Sequence, residues 1–352
     1  MIYNVLANLG YLGRGGFRRA RVLTSRTGLS LAVGAVAFLI VGTIAAVQWQ
    51  TASHYGTWNA PADSAHGADQ TYATTAQVLK SVKAAENSQR LPDAVAAGLI
   101  NEDTIHVSPC YERQRVENPA DADFFGECTY GDPNGKKVMV AYGDSHSDMW
   151  AAPLMRAAAK TGWQLRVFAK HACPAPDMPF RNPNTKTPDE KCDVFHSTAP
   201  VAVQALHPDL VIATSISDWL LADTSSPNPT QWQDGWVATL KKLAQPGTRL
   251  AMLGDIPVWS EDGPRCLAAH VSAVQECSVP VSEAAPKHLE AEQAAAAAVG
   301  ALYIPTMPWI CADRCEPVIA DNRVYNDDTH LTEAYLKYLT GAVTEALQHL
   351  LA

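Results

Sequence analysis

The chain alternates between two hydrophobic periods. Short apolar runs near residues 138–143, 164–169, 209–214, 249–253 and 301–304 are bounded by Gly, Pro, Asp or Ser. Runs this short and mostly apolar, with Arg166 the one charge away from their ends, read as parallel strands covered on both faces. Between them, near 147–161, 197–206, 230–245, 284–299 and 332–350, apolar residues recur at helical spacing. Trp150, Leu154 and Ala158 form one such stripe. Five strands alternating with helices predict a parallel sheet with helices on both faces. Right-handed crossovers make this an α/β fold, a three-layer α/β/α sandwich. Ahead of it, 75–85 is patterned as a helix and 91–99 as a second short amphipathic piece. Both are expected to pack on the outside of the main domain.

The N-terminal pattern is different. Residues 29–47 form an uncharged run of 19 residues, long enough to span a bilayer core as a helix. Arg14, Arg18, Arg19, Arg21 and Arg26 precede it with no acidic residue among them. Such a flank predicts a cytoplasmic N-terminus and an outward-facing remainder. A cleaved signal peptide is the competing reading. The run exceeds a usual signal core, and Gln48–Ser53 offers only a modest cleavage site, so an uncleaved single-pass membrane anchor is expected. The predicted organisation is a cytoplasmic head (1–28), a transmembrane helix (29–47), a stalk or linker (48–75) and an extracytoplasmic domain (76–352).

Charge narrows the partners. The chain has 27 basic and 36 acidic residues, and five of the basic ones lie in the head. The remainder therefore carries 22 basic residues against 36 acidic. Nucleic acid and anionic lipid surfaces are poor partners for such a domain, whereas a neutral polysaccharide is compatible with it. All eight cysteines follow the apolar run: Cys110, Cys128, Cys173, Cys192, Cys266, Cys277, Cys311 and Cys315. An even count outside the cytoplasm points to disulfides. Sequential pairing is the simplest arrangement, although sequence alone does not establish connectivity. Zinc is the alternative, but only Cys311 and Cys315 have ligand-like spacing and no second pair matches them. No metal or cofactor is expected.

Two stretches carry the candidate chemistry. In the first, Met139–Tyr142 is followed by Gly143-Asp144-Ser145-His146 and then a helical pattern. A serine at the end of a parallel strand and before a helix is where open α/β sheets place chemistry. The helix N-terminus can also face an oxyanion. The plainer reading is an N-cap, for which Asp and Ser are both preferred. In the second, Tyr325-Asn-Asp-Asp-Thr-His-Leu-Thr332 precedes the last helix. Asp327 and His330 are three apart, so the carboxylate can orient one ring nitrogen while the other faces Ser145. Here too, capping by Asp327, Asp328 or Thr329 is the bland alternative. His146 either lines the site or packs beneath the turn. Asp255 and His171 follow strand ends, where site residues gather, and Asp255 also reads as an ordinary turn. Trp150 and Trp219 read as core or as a sugar platform, with core favoured for Trp150.

Gly143-Asp-Ser-His146 and Asp327-Asp-Thr-His-Leu-Thr332 resemble the first and last blocks of the SGNH (GDSL-like) hydrolases. The chain is most similar to the branch fused to acyltransferase-3 membrane O-acyltransferases. The shared features include Cys128-Thr-Tyr-Gly-Asp132, Lys170-His-Ala-Cys-Pro174, Pro208-Asp-Leu-Val211, Gly254-Asp-Ile-Pro257 and Cys311-x-x-x-Cys315. The resemblance runs from about residue 90 to 350. It implies a flavodoxin-like five-stranded sheet, with Ser145 as nucleophile, His330 as base and Asp327 as its partner. Two departures stand out. The family's oxyanion donors include a Gly and an Asn, yet there is no Gly between Trp163 and Thr214, and Ser215-Ile-Ser-Asp218 stands where Gly-x-Asn-Asp would fall. Ser215 and Ser217, with Asp144 and His146, are the candidates to line the oxyanion or substrate pocket.

The resemblance implies an O-acyltransferase, in the first instance an O-acetyltransferase, acting on a cell-envelope polysaccharide or glycolipid, with the acyl donor supplied by a membrane acyltransferase partner. Two alternatives stand beside it: an extracytoplasmic carbohydrate esterase using the same triad, and a non-catalytic envelope-binding module.

Overall fold

The computed structural model describes residues 72–88, 90–98, 129–259 and 263–352. The basic head, the 29–47 run, nearly all of the linker, and Cys110 and Cys128 lie outside the described residues. No helix among the described residues is long and apolar enough to cross a membrane.

Six strands form the central sheet: β1 (Thr129–Gly131), β2 (Lys137–Gly143), β3 (Trp163–Ala169), β4 (Leu210–Thr214), β5 (Arg249–Leu253) and β6 (Leu302–Ile304). Their order is β1-β3-β2-β4-β5-β6. The last five of these are parallel neighbours in the expected flavodoxin-like order. The sheet is not five-stranded, however, because β1 adds to the β3 edge antiparallel, pairing Thr129 with Arg166. Thr129-Tyr-Gly131 has no apolar run to mark it as a strand in the sequence.

Side chains on successive strand residues point to opposite faces, and this divides the core. Met139 and Ala141 of β2 pack with Trp150 and Leu154 of α3 (Ser145–Thr161) and with Leu339 and Val343 of the C-terminal helix, Glu333–Leu351. Val140 and Tyr142 pack the other way. They meet Phe195 of α4 (Glu190–Ala205), Trp232 and Trp236 of α5 (Pro229–Leu243), and Ala295 of a helix over Leu289–Val299. Helices therefore cover both faces in three layers. Trp150, Trp232 and Trp236 are fully buried, and each removes about 200 Å² from water. At ~25 cal/mol per Å² that is about 5 kcal/mol of gross stabilisation apiece, before ordering costs.

The predicted helix α1 (Thr75–Ala85) begins on a capping box between Thr74 and Gln77. It buries Val78 and Val82 in the same core as the C-terminal helix. The shorter α2 spans Asp93–Gly98. Helix α6 (Gly263–Ala269) was not legible as a separate element. One predicted helix, 284–299, is broken. A single turn over Val281–Ala284 ends at Ala285, whose ψ is 131°. Pro286 follows it and excludes the α conformation from its predecessor. The helix resumes as α7 (Leu289–Val299), and α8 (Glu333–Leu351) closes the fold.

Three of the sequential disulfides are present: Cys173–Cys192, Cys266–Cys277 and Cys311–Cys315. They join the loop after β3 to α4, brace α6, and close the turn leading toward Asp327.

Gly143 shapes the edge where β2 meets β4. Its φ is +156°, and a Cβ there would run into the Thr214 carbonyl oxygen. That oxygen is backbone in a central strand and has little room to give. Gly143→Ala is expected to destabilise the fold by about 2–3 kcal/mol, read as a lowered Tm in calorimetry. An unchanged Tm would show that the close β2–β4 approach is not required.

Candidate active site

The site begins with one cap. Asp144, in extended conformation at the end of β2, accepts a hydrogen bond from the His146 N–H at 2.9 Å and starts α3. Asp144 is thus the N-cap and Ser145 the first helical residue, slightly earlier than the apolar pattern suggested. The other Asp144 oxygen accepts from Ser215 Oγ (2.6 Å) and from the Ile216 N–H (2.9 Å). These bonds tie the β2–α3 turn to the loop after β4. The Ser145 N–H, first in the helix, has no hydrogen-bond partner among the described residues and remains available to an anion.

The other half arrives from the C-terminal end. Thr332 caps α8 by accepting from the Tyr335 N–H. Asp327 is therefore not used as a cap. One of its oxygens accepts from the backbone N–H groups of Thr329 (2.8 Å) and His330 (2.7 Å). The carboxylate also meets His330 Nδ1, at 2.9 Å from Oδ2. On the far side of the ring, His330 Nε2 lies 2.9 Å from Ser145 Oγ. The structure thus brings Ser145, His330 and Asp327 into one line of hydrogen bonds. Burial opposes the Asp327 charge, but the bonds from His330 and Thr329 outweigh it and hold the carboxyl below its usual range.

The four residues expected to line an oxyanion or substrate pocket are placed otherwise. Asp144, His146, Ser215 and Ser217 are all 1 % exposed or less. Ser215 donates to Asp144 and accepts from the Ala175 N–H. Ser217 donates to Glu292 Oε1 at 2.7 Å. Both hydroxyls point into the protein and support the loops, so neither offers a proton to a substrate. His146 packs beneath the turn, the bland alternative, where its Nδ1 lies 2.6 Å from Asp255 Oδ1.

Beneath the line of Ser145, His330 and Asp327 lies a buried network that sequence reading did not assemble. Asp255 accepts from the N–H groups of Ser217 (2.7 Å) and Ile256 (2.8 Å) as well as facing His146. Glu292 of α7 accepts from the Asp255 N–H at 3.3 Å. Burial, and then the charge of Asp255, push the Glu292 carboxyl up to about 8. Burial disfavours a cationic His146, but Asp255, with Asp144 and Asp327, outweighs it and raises the imidazole to about 9. Asp255 had a signal, its place at a strand end. Glu292 had none, because it sits in an alanine-rich helix that reads as ordinary packing.

The loop after β3 completes the rim. The Lys170 N–H donates to the Gly143 carbonyl at 3.0 Å. His171 Nε2 meets buried Asp148, one turn along α3, at 3.0 Å. Ala172 takes φ 58°, in the left-handed region that favours glycine. Trp150 is core, while the Trp219 indole N–H donates to the Arg181 carbonyl. Among the described residues the one cluster with metal-ligand geometry is Cys173, Cys192 and His196. Its two sulfurs are joined as a disulfide.

Residues 109–345 match the family model described as SGNH domain (fused to AT3 domains), and the chain belongs to that family. This makes it an SGNH-type acyltransferase or esterase. Among solved structures, the periplasmic domain of a lipopolysaccharide acetyltransferase from Salmonella ser. Paratyphi A shares the fold. It is 14 % identical, with a TM-score of 0.51 over 70 % of this chain and all of the other. A carbohydrate acetylesterase family member from Sinorhizobium meliloti is more distant, 11 % identical at a TM-score of 0.39, covering 61 % of this chain and 99 % of its own. No curated protein matches the sequence.

The buried network sets a pH dependence. Folded Glu292 keeps a proton between roughly pH 4.5 and 8, and folded His146 between roughly pH 6.5 and 9. The unfolded chain releases both protons in those windows, so stability falls as pH rises through them. Tm is expected to decline from about pH 5 to 9, and Glu292→Gln to flatten the part below about pH 8. A wild-type Tm that is level or rising over this range would contradict a protonated Glu292 and a cationic His146.

Proposed function

We propose that the chain is an O-acyltransferase, most simply an O-acetyltransferase, acting on a cell-envelope glycan through Ser145, His330 and Asp327. The observation that carries this reading is the pair of 2.9 Å contacts on opposite nitrogens of His330, to Ser145 and to Asp327. The family, named for its fusion to AT3 domains, supports it. In this reading Asp327 holds Nδ1–H, which leaves Nε2 to take the Ser145 proton as Oγ attacks the acyl carbonyl. The Ser145 N–H at the start of α3 faces the developing oxyanion. His330 then protonates the departing donor, and an acyl-Ser145 ester remains. A glycan hydroxyl gives its proton to His330, attacks that ester and leaves acylated, with Ser145 regenerated. The donor is a membrane acyltransferase partner.

The organisation that serves this reading is an anchor over residues 29–47, a linker to about residue 75, and a catalytic domain outside the cytoplasm. The arginine-rich flank and the three disulfides support it. The same residues would hydrolyse esters if water replaced the glycan, and product analysis with and without a glycan acceptor separates the two outcomes.

The decisive test is intact-mass analysis of the full chain after exposure to an activated acetyl ester. Wild type is expected to gain one acetyl group, or to release product if turnover is fast, and Ser145→Ala to do neither. His330→Ala and Asp327→Asn should slow Ser145-dependent turnover by roughly 10²–10⁴-fold. Equal turnover by wild type and Ser145→Ala would sink the acyl-enzyme mechanism. Absence of both adduct and turnover would favour a binding module.

A further inference from the structure

The buried carboxylates behind the site have a positive charge beside them only if a histidine supplies it. Asp144 and Asp255 are both 1 % exposed, and Asp327 lies against His330. The ion-pair partner of Asp255 is His146. Asp144 is satisfied by N–H and O–H donors alone. Glu292 and Tyr303 also face Asp255, and neither can supply a positive charge. Two side chains in the set can become cations, His146 and His330. Their rings stand edge to face, with centroids 5.2 Å apart.

A site with three carboxylates and one imidazole would hold that imidazole as a cation. A permanently protonated His330 cannot accept the Ser145 proton. His146 resolves the conflict. It is wholly buried, its Nδ1 touches the Asp255 carboxylate at 2.6 Å, and an unpaired buried charge on Asp255 would be costly. We propose that His146 is a positioning residue that acts through His330: as an imidazolium seated on Asp255, it puts one positive charge beside the buried carboxylates and keeps His330 neutral. The inference rests on the reading of His330 as the base. Two positive charges about 5 Å apart in a partly buried site repel strongly, so the proton settles on His146 and not on His330.

The test is a pH titration of the full chain carrying ¹⁵N-labelled histidine, followed by NMR of the ring nitrogens. In wild type, His146 is expected to carry protons on both nitrogens at pH 7, with His330 neutral. His146→Asn retains a donor toward Asp255 but cannot carry the charge. In that variant the His330 midpoint should rise by about one to two pH units. The acid limb of kcat/KM for an activated acetyl ester should rise with it. A purely structural role for His146 would lower activity at every pH and leave the midpoint in place. An unprotonated ring nitrogen on wild-type His146 at pH 7, or an unmoved His330 midpoint in His146→Asn, would overturn the proposal. If His146→Asn does not fold, the charge state of wild-type His146 decides alone. The two NMR readings do not depend on acyl transfer, which the Ser145→Ala comparison judges separately.

Discussion

A carboxylate removed from water must find its hydrogen bonds in the protein. At the C-terminal edge of this sheet Asp144 finds three, and the arrangement of the site follows from them. One oxygen starts α3 by accepting from His146, and the other holds the loop after β4 through Ser215 and Ile216. The turn carrying Ser145 is thereby fixed to the neighbouring strand. Gly143 makes this possible, because a side chain there would meet the Thr214 carbonyl. An adjoining glycine and aspartate thus set where the serine hydroxyl stands.

The partner segment needs equal precision from 185 residues away along the chain, and it obtains this by packing. Thr332 caps α8, Tyr335 Oη donates to the Trp309 carbonyl, and α8 lies along α3 through Leu339 and Val343. The helix that presents Ser145 therefore also seats the helix that follows His330. The Cys311–Cys315 bridge shortens the loop between Trp309 and the Asp327 turn. The geometry between Ser145 and His330 is inherited from the largest buried surfaces, which are the costliest to distort.

Much of this is legible in the sequence where the signal is local. Five strands read correctly because each is dominated by apolar residues between turn signals, and Asp327 and His330 stand out as a pair because they are three residues apart. The added strand β1 is invisible because Thr129-Tyr-Gly131 is not an apolar run. The break at Pro286 is masked because the apolar pattern continues across it. Joining Ser145 to His330 takes the logic of an activated serine, reinforced by the resemblance, since nothing local connects them. The His146–Asp255 contact spans 109 residues, and each member alone has an ordinary explanation. Ser215 and Ser217 are misplaced for the opposite reason. Their loop is identifiable, but a hydroxyl's direction depends on Asp144 and Glu292, which lie elsewhere in the chain.

The two departures from the SGNH pattern do not carry equal weight. A glycine used as an oxyanion donor contributes its backbone N–H, so what matters is the conformation of the chain and not the residue type. Ala172, in the loop after β3, holds φ 58° without being glycine. That costs about 1 kcal/mol or more, and the fold maintains it through the Lys170–Gly143 bond, the His171–Asp148 pair and the Cys173–Cys192 bridge. An asparagine contributes its side chain, and conformation cannot replace that. Where the asparagine would fall, Ser217 is turned to Glu292 and the Ser217 N–H to Asp255. The glycine's absence is thus reconcilable with a working site, while the asparagine's absence removes a donor. In the proposed mechanism the Ser145 N–H then carries more of the oxyanion stabilisation, because the hydroxyl and the N–H of Ser217 are both engaged elsewhere.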